Sequence, residues 1–171
     1  MVPQLSKAAL LLSHGNDTYS RNSPWAHEVE TDARSLGVEL SIVETDPASV
    51  EAAIASAAAD GAQALVGAFD GTIIARRREI AESAITHRLP TMFAFRGNVE
   101  AGGLMMYAAR VADLSRRAAF FVDRILKGAR PAELPIELPI TFELIINMKT
   151  AKTLGLTLPS TLLAQADEVI E

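Results

Sequence analysis

Lys7-Ala8-Ala9-Leu10-Leu11-Leu12-Ser13-His14-Gly15-Asn16-Asp17 is a short unbroken apolar run released into a polar loop. Such a run fits a strand covered on both faces, as in a parallel sheet. The segments that follow keep the same rhythm. Ser23-Pro24 offers a capping hydroxyl and a proline at the first helical position. Trp25, Val29, Ala33 and Leu36 then share one helical face, and Gly37 stops the helix. Val38, Leu40 and Ile42 alternate with Glu39 and Ser41, the pattern of a half-wet strand near a sheet edge. Asp46-Pro47 opens an alanine-rich helix to Ala59, which Gly61 closes. Ala64-Leu65-Val66-Gly67-Ala68 is a third strand, Asp70-Gly71-Thr72 a turn and cap, and a third helix runs to about His87. Thr91-Met92-Phe93-Ala94-Phe95 and Leu104-Met105-Met106-Tyr107 are the fourth and fifth strands.

Strand and helix thus alternate with short connections, which specifies a doubly wound α/β fold with a parallel sheet and helices on both faces. The expected order is flavodoxin-like, 2-1-3-4-5. Beyond residue 108 the pattern changes. A helix over Ala109 to Lys127 carries an apolar stripe of Val111, Leu114, Ala118, Phe121, Val122 and Ile125. Pro131, Pro135 and Pro139 keep the next segment extended. Phe142 to Asn147 reads as a sixth strand, Lys149 to Leu154 as a short helix, and Pro159 to Ile170 as a terminal one. The expected division is a core over 5–108, a crossover helix over 109–128 and a return segment over 129–171.

Composition narrows the function. With 171 residues, 49% hydrophobic and 22% charged, the chain has enough apolar material for one ordinary domain. A net charge of -5 with no basic stripe argues against nucleic acid. Arg76-Arg77-Arg78 is read as a solvated helix face. The lack of cysteine excludes thiolate chemistry and cysteine-based zinc sites, and His14, His27 and His87 lack ligand spacing, so no metal or cofactor is expected. No apolar run is long enough to span a membrane, and Met1-Val2-Pro3-Gln4 begins no signal peptide.

The later blocks carry a resemblance. Glu100-Ala101-Gly102-Gly103-Leu104-Met105, Ala112-Asp113-Leu114, Arg116-Arg117-Ala118-Ala119 and Val122-Asp123-Arg124-Ile125-Leu126-Lys127-Gly128-Ala129 stand in order. Phe142-Glu143-Leu144-Ile145-Ile146-Asn147, Lys149-Thr150-Ala151-Lys152, Leu154-Gly155-Leu156 and Ala166-Asp167-Glu168-Val169-Ile170 follow. Together they resemble the ABC-transporter substrate-binding proteins whose characterised members bind tryptophan or tyrosine. The likeness implies one lobe of a type I periplasmic-binding-protein fold: a non-catalytic, solute-binding component of an uptake transporter with an amino-acid-like ligand. It implies a cleft closed by a first lobe, with Met1-Val2-Pro3 at the hinge, a periplasmic site, and a permease partner where a first lobe exists. With no first lobe and no signal peptide, the expectation becomes a cytoplasmic chain. The helix over 109–127 packs on the first lobe in that family, so a homodimer through this helix is expected here.

Ligands of open α/β sheets lie beyond the carboxyl ends of the strands. The loops there carry His14, Asn16 and Asp17; Asp70 and Thr72; Arg96 and Asn98; and Tyr107. Asp70 or Asp17 suits an ammonium, Arg96 a carboxylate, and Phe69, Phe95 or Tyr107 an apolar side chain. Each has a plainer role. Asp70 caps a helix, Asn16-Asp17 forms a turn, Arg96 pairs with Glu100, and Trp25, Met105 and Met106 pack. The chain departs from the family at Met106-Tyr107-Ala108-Ala109 and Gly97-Asn98, both at the cleft edge. Two rivals stand beside the receptor. One is a stand-alone dimerising sensor or interaction module. The other is a flavodoxin-like enzyme, for which the chain lacks a phosphate loop and the acidic pair of a receiver domain.

Overall fold

In the computed structural model, which describes residues 5–171, Leu10 and Leu12 leave strand β1 (Lys7–Ser13) on one side and Ala9 and Leu11 on the other. Leu10 and Leu12 meet Ala26 and Val29 of helix α1 (Pro24–Ser35). Ala9 and Leu11 meet Val50, Ile54 and Ala57 of α2 (Val50–Ala59), with Ile80 and Ala84 of α4 (Arg77–Thr86). Every residue from Ala8 to Leu12 is buried, so a strand with no polar face is the one the two helical layers require. Each large side chain so buried stabilises the fold by about 1.5–3 kcal/mol.

The other strands are β2 (Glu39–Thr45), β3 (Leu65–Gly67), β4 (Thr91–Phe93), β5 (Met105–Ala109), β6 (Phe142–Asn147) and β7 (Glu168–Ile170). They form one seven-stranded sheet in the order β2-β1-β3-β4-β5-β6-β7. The 2-1-3-4-5 order expected from the alternation is present, extended by two strands. All neighbours are parallel except β5 and β6, which run antiparallel with Tyr107 opposite Leu144 and Ala109 opposite Phe142. The half-wet strand β2 is one edge, and β7 is the other. A second core, Leu104, Met105, Leu144, Ile146, Ala151 and Leu158, packs β5 and β6 under the helices α7 (Met148–Thr153) and α8 (Ser160–Gln165).

Several local expectations need correction. The segment Pro159 to Ile170 is not one helix: α8 ends at Gln165, and Glu168–Ile170 pairs with Ile145–Asn147 as β7. The third helix is two, α3 (Gly71–Ala75) and α4, separated at Arg76. Asp46-Pro47 makes a turn held by Ser49, whose hydroxyl accepts from the Asp46 N–H at 3.1 Å, and α2 starts at Val50. Leu36 lies past the end of α1 and is 79% exposed; Ala26 takes the core position instead. A short helix, α5 (Arg96–Glu100), fills the turn after β4. Helix α6 spans Val111–Leu126, because Ala108 and Ala109 continue β5. The hinge expectation for Met1-Val2-Pro3 lies outside the described residues.

Candidate functional site

The carboxyl ends of β1, β3 and β4 bring together the segments that carry His14 to Asp17, Phe69 to Thr72 and Phe95 to Asn98, whereas Tyr107, expected in a loop, lies within β5 opposite Leu144. At the centre is Asp70. Its carboxylate caps α3, accepting from the backbone N–H of Thr72 at 2.8 Å and of Ile73 at 3.4 Å. The Asn16 amide donates to its second oxygen at 2.5 Å. Asp70 is buried. Burial pushes the carboxyl up, but hydrogen bonds from Ser13, Asn16, Thr72 and Ile73 outweigh it and hold the group below the ordinary carboxylate value. Asp70 is therefore an ionised anchor between two loops.

Asn16 is equally committed. Its side-chain oxygen accepts from the Thr18 N–H at 3.1 Å and the Tyr19 N–H at 3.3 Å, closing the turn expected there. His14 and Asp17 are exposed on the same loop, and Thr72 is half-buried beside Asp70. The loop is backed by the edge-to-face pair of Tyr19 and Trp25, centroids 4.9 Å apart, which gives Trp25 its packing role.

The basic side of the site is also engaged. Arg96 donates two bonds of 2.6 Å to the two carboxylate oxygens of Glu168 and a third of 2.6 Å to Glu100. These bonds hold the guanidinium charged more firmly than usual and draw the Glu168 carboxyl below its ordinary value. Asn98 is buried beneath the site and donates to the Ile73 carbonyl at 3.2 Å, tying α5 to α3. It fixes the floor and does not reach the surface.

The uncommitted surface is aromatic. Phe69, Phe95, Tyr107 and Phe142 are 51%, 37%, 56% and 45% exposed. Phe69 and Phe95 meet edge to face at 6.4 Å, and Tyr107 stacks on Phe142 at 5.5 Å with 14° between the rings. Phe69 and Phe95 follow β3 and β4, Tyr107 lies within β5 and Phe142 opens β6; the two ring pairs, half in water, are surfaces suited to an apolar or aromatic ligand. Sequence reasoning missed Phe142 and Glu168. The first depends on the antiparallel register of β6 on β5, and the second on recognising β7 as a strand. Among the described residues no group of three His, Cys, Asp or Glu side chains is placed to hold a metal ion.

This fold has relatives. The family model for ABC transporter substrate binding proteins matches residues 1–170. The chain belongs to that family. Solved structures share the fold of this substrate binding protein family member. A conserved domain protein from Vibrio cholerae superposes with a TM-score of 0.85 at 22% identity, over 98% of this chain and 56% of that one. The ABC domain from Streptococcus pneumonia, solved in complex with L-Trp, gives 0.84 at 24% identity, over 98% and 57%. A ligand-free, open substrate binding protein with adhesive properties from Clostridium difficile gives 0.75 at 17% identity, over 99% and 55%. The chain thus spans little more than half the length of these proteins. No curated protein is significantly similar in sequence.

Proposed function

We propose that this chain is a ligand-holding lobe of a solute receptor for an ABC uptake transporter, and that it binds an aromatic amino acid or a molecule of that class without catalysing a reaction. The observation that carries the reading is the two exposed aromatic pairs, Phe69 with Phe95 and Tyr107 with Phe142. Membership of the substrate binding protein family supports it, as does the L-Trp bound to a protein of the same fold.

In this reading the rings stack on the apolar part of the ligand. Asp17, exposed on the β1 loop, is the carboxylate open to an ammonium, while Asp70 and Asn16 keep that loop in place. Arg96 receives the ligand carboxylate by exchanging it for Glu168, since both make the same forked contact. His14, Thr72 and the Tyr107 hydroxyl supply the remaining polar contacts, and Asn98 supports from below. A ligand on one lobe is half covered; a facing wall and a permease complete the function, on the extracytoplasmic side of the membrane.

The test is isothermal titration of the chain with L-tryptophan, L-tyrosine and L-phenylalanine, with L-alanine as control. Saturable binding of an aromatic member, weakened about tenfold or more (~1.4 kcal/mol) by Phe69→Ala or Tyr107→Ala, supports the proposal. Equal binding of alanine, or binding indifferent to both variants, overturns it.

A further inference from the structure

Two aspartates of the chain precede a glycine, in Asp60-Gly61 and Asp70-Gly71. A glycine successor has no Cβ to keep its peptide nitrogen away from the aspartyl side chain. In the chemistry this allows, the nitrogen gives up its proton and attacks the aspartate Cγ. A water molecule leaves and a five-membered imide closes. A second water then opens the ring at one of its two carbonyls. Opening at the main-chain carbonyl routes the backbone through Cβ and gives isoaspartate, with no net change in mass. The fold must supply a carboxyl free to lose an oxygen and a peptide nitrogen free to turn toward it.

The structure separates the two sites. Asp70 is buried, and one of its oxygens accepts from the Thr72 and Ile73 N–H groups while the other accepts from the Asn16 amide. Closing an imide there breaks the α3 cap and strands the Asn16 amide. Asp60 is placed in the opposite way. It follows the last residue of α2, with φ of -75° and ψ of 2°, and its side chain is exposed. Backbone alone closes this helix end: the Asp60 N–H donates to the Ser56 carbonyl at 2.9 Å and the Gly61 N–H to the Ala58 carbonyl at 3.0 Å. Gly61 has φ of +86°, and a Cβ on it would meet nothing within 4 Å. Exposed helix ends open at far lower free energy than a packed core. Opening releases the Gly61 nitrogen from Ala58 and lets rotation about the Asp60 Cα–C bond bring it onto Cγ.

We propose that Asp60 is a site of isoaspartate formation, and that the fold protects Asp70 from the same reaction. The product carries one extra main-chain carbon between α2 and β3. That carbon falls within the closures that Gly61 and Ala62 make to Ala58 and Ala57, just ahead of the buried Ala62 and Leu65. To test this, the intact chain is aged at neutral pH below its melting temperature. Isoaspartate is then measured by enzymatic methyl transfer from S-adenosylmethionine to its carboxyl, and located by peptide mapping. Label at Asp60 should exceed label at Asp70 about tenfold or more (~1.4 kcal/mol). In urea the two sites should label alike, since only the fold distinguishes them. Asp60→Glu, which would have to close a six-membered ring, should lose the label and stay folded because the side chain is exposed. A folded chain that stays unlabelled at Asp60 overturns the proposal, as does equal label at the two sites. Label that survives Asp60→Glu places the reaction elsewhere and overturns it too.

Discussion

Arg96 and Glu168, 72 residues apart, are joined by two parallel hydrogen bonds of 2.6 Å that fasten the last strand to the helix after β4. Both side chains are more than a third exposed, so solvent screens the pair and its energetic weight is small. Glu168→Gln should lower the melting temperature slightly at neutral pH. The carboxyl is held below its ordinary value in the folded chain, so its contribution is present above the unfolded value and disappears as pH falls through the lowered one. The difference between wild type and variant should therefore vanish in acid. Thermal melts at neutral pH and below the carboxylate range check this.

Asp70 is the more consequential carboxylate. Asp70→Ala removes the α3 cap and leaves the Asn16 amide without its partner, for an expected loss of about 1–3 kcal/mol in urea unfolding. Its folded value is also lowered, so the effect should be full above the unfolded carboxylate range and shrink in acid.

Arg88 follows α4 with φ of +56°, the left-handed conformation that costs a side-chain residue. The conformation lets the Leu89 N–H reach the Ala84 carbonyl at 2.8 Å and close the helix. Arg88→Gly should raise stability by about 0.5–1 kcal/mol in the same assay, since the exposed arginine packs nothing.

Gly103 sits where the chain enters β5. A methyl group there would lie 2.6 Å from the Phe93 ring and 2.8 Å from the Asn98 carbonyl oxygen. Gly103→Ala should cost about 1–3 kcal/mol by overpacking, against no comparable loss at the open Gly71.

What could be read from the chain and what could not divides along physical lines. Ala8–Leu12 declared a strand covered on both faces because five apolar residues without a polar member leave no wet side. The capping of α1 by Ser23, whose hydroxyl accepts from the Ala26 N–H at 3.2 Å, was equally local. So was the stop at Gly37, with φ of +74°. Glu168–Ile170 was not legible. Three residues show no period, and the preceding helical pattern runs into them; only pairing with Ile145–Asn147 makes them a strand. The roles at the site share that limit. Asp70, Asn16 and Arg96 could each be named from strand-end positions, but a residue type does not say whether its donors are free.

The sequence by itself determined the alternation of strand and helix, the order of the first five strands, the family and the list of polar residues at the strand ends. These are local patterns and short connections, which one chain segment carries within itself. Only the tertiary structure decided that Arg96 is held by Glu168, that Asn98 is a buried brace, that Tyr107 stacks on Phe142, and that α6 and Ile136–Ile140 share one apolar face. Each of those relationships joins residues far apart in the chain, and it exists only once strand register has brought them together.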